Sequence, residues 1–279
     1  MKKESVFLKQ VLPLVLTIVI FIVLSLCVYV EVLILNKYTA VDIVKSVRWS
    51  DIAVGMTIYL KTSVDFAIFI GNLMASYPGW KNRVAIETGT AVGNALGTII
   101  VLAIWNFFRD IEWLLAIMIF IAALVLVKLA EDGLDHAVED QSYFKGVFRS
   151  GILQFQKGLK IFNNLTGAFL KYLIPHTSMK SKKNLTFVGL LVMSFTIPFI
   201  LGLDDFAGYV PVFNIVNVLG FSIGVLAGHM ILNIFLFISP ERTIKVVKNP
   251  VISLAGAVAF IGLAGWGIFE VMKLLFLHN

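Results

Sequence analysis

The chain is poor in the residues that soluble chemistry depends on. It has one cysteine, Cys27, so no disulfide can form within it and no cysteine cluster can hold a metal. Charged residues make up only 14% of its 279 positions, against about a quarter in an ordinary globular domain. The longest stretch without Asp, Glu, Lys or Arg, Phe206 to Pro240, runs for 35 residues. A bilayer-crossing helix needs about 20. There is no phosphate-cradling GxxxxGK loop, no HExxH and no GxSxG, and no nucleophile and base pair up on facing helices, so the sequence reads as a non-enzyme. Transmembrane β-strands alternate apolar with polar residues, which these blocks do not.

What is present is apolar: 59% hydrophobic residues and a mean hydropathy of +0.92. The pattern predicts an all-α integral membrane protein with about seven spans, near 11–35, 52–77, 85–108, 111–130, 184–205, 210–238 and 250–275. The first resembles a signal peptide behind Lys2 and Lys3. Its apolar run is longer than a signal core and no small-residue cleavage site follows, so it reads as a retained helix. The net charge of +6 then reflects basic loops rather than nucleic-acid binding. Seventeen of the 23 Lys and Arg fall in loops on the N-terminal side, and only Lys37, Lys45, Arg48, Arg109 and Lys273 on the other. The positive-inside rule places the N-terminus in the cytoplasm and the C-terminus outside a cell (inner or plasma) membrane.

A repeat organises the spans. Gly89, Gly93 and Gly97 recur as Gly220, Gly224 and Gly228, and the stretch Ser63–Ala67 is loosely echoed by Gly202–Ala207. Each copy holds three spans, an odd number, so the second enters the membrane from the opposite side. The expected division is 1–50, an N-terminal helix and outer loop; 51–130, the first repeat; 131–184, a cytoplasmic basic segment; and 185–279, the second repeat. Inverted repeats are common in secondary transporters, which bind substrate between the halves. The glycines also have a plain use, the close approach of two helices.

The basic segment is a candidate amphipathic helix. Phe144, Phe148, Ile152, Phe155, Leu159, Phe162, Phe169 and Leu173 follow helical spacing, Lys145, Arg149, Lys157, Lys160 and Lys171 fill other positions, and 142–175 holds no acidic residue. Such a helix is expected at an anionic lipid surface, with docking on the bundle or on a partner protein as alternatives.

Carboxylates inside spans are costly and mark ion or proton paths by default. Asp65 lies within the second span; Asp204 and Asp205 lie late in the fifth, and the repeat alignment matches Asp65 with Asp204. Carboxylates with hydroxyl and carbonyl oxygens suit a divalent cation such as Mn²⁺, Ca²⁺ or Mg²⁺. The plainer alternatives are an outer loop at Asp204-Asp205 and an ion pair from Asp65 to Lys61. Pro198 removes the helix hydrogen bond to the Ser194 carbonyl, which either frees a ligand or only kinks the helix. Ser63, Asn72, Asn94, Tyr209, Asn217 and His229 are candidate linings of the path, with Asn214 at a similar level. Glu87 is another, unless it only snorkels or meets Arg83. Glu270 is expected near the outer interface.

Ser63-Val64-Asp65-Phe66-Ala67, followed by Pro78, Arg83, Gly89 and Gly93, resembles the first half of TerC-type membrane proteins. Gly202-Leu203-Asp204-Asp205, with Tyr209 and Pro211, is similar to the motif of cadmium-resistance (CadD-type) transporters. Both belong to the lysine-exporter (LysE) superfamily, and the resemblance covers about 52–130 and 185–275. It implies two inverted three-helix repeats and export of cations, metals or amino acids. Asp65 and Asp204 match the motif aspartates. Asp205 and Phe66 stand where the motifs have Asn, and Tyr59 where an acidic residue often precedes the first motif.

The resulting expectation is a secondary transporter exporting a divalent metal ion, with no permanently bound cofactor. An exporter of a small organic solute such as an amino acid, and a non-transporting membrane scaffold, are the alternatives; no oligomeric state follows. Orientation is directly checkable: alkaline phosphatase fused after Asn279 should be active and a fusion in 131–183 inactive, and the reverse pattern would overturn the assigned topology.

Overall fold

The computed structural model of the chain describes residues 11–39, 42–139, 143–173, 185–204, 209–213 and 216–276, with backbone alone for 12, 13, 65, 168–173 and 200–204. The described residues are helical in ten α-helices: α1 Leu12–Leu35, α2 Trp49–Thr62, α3 Val64–Ser76, α4 Trp80–Phe108, α5 Glu112–Glu139, α6 Gly146–Leu173, α7 Phe187–Asp204, α8 Val218–Ile238, α9 Pro240–Val247 and α10 Pro250–Phe276. Five of them, α1, α4, α5, α8 and α10, are long and apolar enough to cross a membrane. The protein is a multi-pass helical membrane protein.

Against the seven expected spans, the described helices differ at two places. The expected second span is two helices, α2 and α3, bent by 68° at Ser63; together they make a sixth crossing or a re-entrant loop. Each alone, at about 20 Å, falls short of the roughly 30 Å hydrocarbon core. The expected fifth span is α7, 18 residues long with Pro198 inside it. The expected sixth span, 210–238, starts late. Pro211 sits in a 3₁₀ turn, Val210–Val212, and α8 begins only after Asn217, whose side chain accepts from the Leu219 and Gly220 amides.

The chain forms two compact units, and neither follows the sequence halves. The first gathers residues 1–106, 177–205 and 216–244. Its framework is glycine packing. A Cβ at Gly224 would overlap the Ile52 carbonyl of α2, and one at Gly55 would overlap the Phe221 carbonyl of α8. Gly220 faces Asp51, and Gly228 faces Met56 and Tyr59. The partners advance together along the two helices, so α2 and α8 run parallel. The other glycine row does the same with α7: a Cβ at Gly89 would lie 2.6 Å from the Leu191 carbonyl, and one at Gly93 would overlap that of Phe195. Helices α4 and α7 are therefore parallel too. Lipid supplies no hydrophobic force between helices, so van der Waals contact at glycine is what holds such pairs.

The second unit gathers 107–176, 206–215 and 245–279. Here α5 and α10 run antiparallel, Gly133 meeting Ser253 and Ala257 while Gly267 meets Ile119 and Ala123. Helix α6 turns back along the last three turns of α5. Arg149 donates to the Val138 carbonyl at 3.4 Å, Gln156 bonds Asp135, and Asn163 donates to Glu131 at 2.5 Å. Ile152 is buried among Ala130, Leu134 and Ala257. The neighbouring arc, with Val147, Phe148, Phe155, Ile161, Phe162 and Leu165, is exposed.

Gly224→Val should therefore unfold the first unit by about 1–3 kcal/mol or more through overpacking. Gly151→Ala, where a Cβ meets nothing within 4 Å, should stabilise α6 by about 0.5–1 kcal/mol. Thermal melting of the purified protein in detergent checks both; equal melting points for Gly224→Val and wild type would refute the contact.

Candidate functional site

The polar side chains of the first unit meet where α2, α8, α4 and α1 come together. Tyr59 and His229 are both buried, with Tyr59 Oη 2.6 Å from His229 Nδ1. Gly228, beside His229, is what lets α8 come close enough to α2 for this bond. The Asn233 amide nitrogen lies 3.0 Å from His229 Nε2 and 3.2 Å from Thr90 Oγ1. The Thr90 hydroxyl already donates to the Glu87 carbonyl at 2.9 Å, so its oxygen accepts from Asn233. The second hydrogen of that amide then goes to Nε2, leaving Nδ1 as donor to the Tyr59 oxygen. The Phe66 ring closes over the imidazole, centroids 5.2 Å apart. The network continues at α1, where the Thr17 hydroxyl donates to the buried Glu87 carboxylate.

Described residues between α1 and α2 are tied to this unit. Asn36 accepts from the Ile43 amide at 2.7 Å and donates to its carbonyl at 3.0 Å. Arg48 grips the buried Asp51 with two nitrogens, at 2.8 and 3.1 Å. That hydrogen bond and the opposite charge hold the guanidinium pKa above its usual value. Asn217 donates to the Val44 carbonyl at 2.9 Å.

The sequence-chosen residues separate clearly in this frame. For Asp65 and Asp204 the structure gives backbone alone: Asp65 in the first turn of α3, immediately after the break at Ser63, and Asp204 as the last residue of α7. Asp205 and Asn214 lie outside the described residues, as does the side chain of Phe169. Among the described residues no three His, Cys, Asp or Glu gather in a way that could hold a metal. Ser63 is buried at the α2–α3 junction. Asn94 is buried, and its amide nitrogen has no partner among the described residues. Pro198 is buried within α7, one turn after Ser194, whose hydroxyl donates to the Leu190 carbonyl at 2.6 Å. Tyr209 is buried in the second unit beside Phe213. Glu270 lies 3.6 Å from Lys273.

Three expectations change. Glu87 neither snorkels nor pairs with Arg83: it is buried against Thr17, while Arg83 donates to the Phe237 carbonyl at 2.8 Å and stacks on that ring. Asn72 is exposed on α3, because the packed side of that helix is taken by Phe69, Ile70 and Leu73. Asn217 spends its side chain on capping α8 and on the Val44 carbonyl. Sequence reasoning missed Tyr59, Thr90, Asn233, Thr17 and Asp51. The signal available was spacing: Thr90 and Asn94 are one turn apart on α4, as are His229 and Asn233 on α8.

No protein-family model, curated protein or solved structure matches the chain.

Tyr59→Phe should cost about 1 kcal/mol, the scale of a hydrogen bond between membrane helices. Thr90→Val should cost a similar amount, and the double mutant less than the sum, because the two sit in one network. Chemical or thermal unfolding in detergent measures all three; strict additivity would show that the groups are not connected.

Proposed function

We propose that this protein is a secondary transporter that exports a cation, a divalent metal ion in the leading reading, by alternating access between two inverted three-helix repeats. The observation that carries the reading is the reciprocal pairing of helices. The glycine row of each repeat packs on the first helix of the other, α4 on α7 and α8 on α2, and both pairs are parallel. Three-span copies of opposite orientation require parallel pairs at these two places. Copies of the same orientation would make both pairs antiparallel.

The break between α2 and α3 adds support. Interrupted helices in transporters expose backbone groups that hold ions, and this one falls two residues before Asp65. In the proposed site Asp65, Asp204 and Asp205 supply carboxylate oxygens, with Ser63 and the carbonyls near the break and near Pro198 completing a hard-oxygen shell. The Tyr59–His229–Asn233–Thr90 network is then the rigid wall against which α3 is held. The exposed apolar arc of α6, flanked by the exposed Lys157 and Lys160, faces anionic lipid in this reading.

Asp65→Asn and Asp204→Asn, each correctly inserted, should lower cation uptake into inverted vesicles by about tenfold or more. A panel of Mn²⁺, Cd²⁺, Ca²⁺ and Mg²⁺ identifies the cargo. Full transport by both mutants would overturn the site. Silence of the whole panel, with an amino acid accumulating in a deletion strain, would transfer the same fold to an organic solute.

A further inference from the structure

Helix α1 is apolar on the side that faces outward, where Val15, Ile18, Val19, Ile22 and Leu26 are exposed. Its side chains Thr17, Ser25 and Glu31 instead lie on the stripe that includes the buried Val28 and Val32 and packs on α8. Thr17 is bound to Glu87. Glu31 is not bound to anything described: both carboxylate oxygens are covered, and neither has a hydrogen-bond or ion-pair partner among the described residues. The Ser25 hydroxyl, on the same stripe, is likewise covered and unpartnered.

Among the described residues no charged group pairs with this carboxylate. Helix α8 has no Asp, Glu, Lys or Arg, and its one titratable group, His229, is occupied by Tyr59 and Asn233. The charged group of α4 that reaches α1 is Glu87, which meets it at Thr17, about 21 Å along the helix from Glu31. At the outer end Arg48 is engaged by Asp51, and Lys37, Asp42 and Lys45 are exposed. An ionised carboxylate left unpaired in such surroundings is costly, and protonation removes the cost. A divalent ion would need six or more oxygens, and no group of His, Cys, Asp and Glu assembles there. A proton needs only the one carboxylate.

We propose that Glu31 is a proton-binding site on α1, and that the proton it carries is exchanged for the exported cation. The exchange role rests on the transport reading above; the proton site does not. In the step, an O–H bond forms at a carboxylate oxygen with a proton from water on the outer side. It breaks when that proton passes to water on the cytoplasmic side, as the cation moves outward. No oxidant, reductant or other reactant takes part.

The experiment uses the full chain in liposomes. Dicyclohexylcarbodiimide, which modifies protonated carboxylic acids in apolar surroundings, is added across a pH series and the adduct is located by mass spectrometry. Labelling at Glu31 should be clear at pH 6 and fall as the pH rises, and Glu31→Gln should abolish it. The same mutant should slow Mn²⁺ or Cd²⁺ transport driven by a pH gradient about tenfold or more, while metal–metal exchange without a gradient stays within about twofold and Glu31→Asp restores the coupling. Absence of the label at every pH would overturn the site, and gradient-driven transport within about twofold of wild type in Glu31→Gln would overturn the exchange role. If wild type moves no cation at all, the transport reading fails, and the proton site is decided by the labelling alone.

Discussion

Backbone pressed against backbone is the constraint on which the first unit rests. In lipid, burying a leucine between two helices gains little, because the acyl chains solvate it equally well. The gain comes from many atoms in close contact, and that requires positions without a side chain. Gly55 and Gly224 take the opposing carbonyls of Phe221 and Ile52, and Gly89 and Gly93 take those of Leu191 and Phe195. These contacts set the register of each pair, and the register sets every polar meeting that follows. Tyr59 reaches His229 only because Gly228 holds α8 against Met56 and Tyr59.

The interior polar groups then read as consequences of that register. Each buried donor or acceptor in a membrane protein must find a partner inside the protein. Asn233 bridges His229 and Thr90; Thr90 returns a bond to the α4 backbone; Thr17 brings α1 onto Glu87. Among the described residues, buried atoms of Asn94, Ser25 and Glu31, and the Asn233 side-chain oxygen, lack such a partner, and of these only Glu31 can carry a charge. The first helix, which composition alone presents as a plain anchor, is polar along its packed stripe.

The second unit uses different means. Its α5–α6 hairpin is fixed by side chains at the charged end of α5, where Asn163 and Lys128 share Glu131. The amphipathic pattern of 144–173 made the helix legible from sequence, together with its basic flank. It did not show how the apolar arc divides, with Ile152 packed against α5 and Phe155 and Leu165 left exposed. A helical period records which residues share a face, and it carries no information on what covers that face.

The sequence by itself determined that this is a helical membrane protein, because runs of apolar residues long enough to cross a bilayer allow no other structure. It also marked the glycine rows, whose spacing of four puts them on one face of each helix. It placed polar residues on α4 and α8 without pairing them. Only the tertiary structure decided that α2 and α3 part at Ser63, that α8 starts at Asn217 rather than near 210, and that Glu87 turns to Thr17 and not to Arg83. It alone brought Tyr59 to His229 across 170 residues. Hydropathy is a sum over neighbours in the chain, so it senses how long a segment stays apolar. Breaks, caps and buried bonds depend on neighbours in space, and those exist only once the helices have packed.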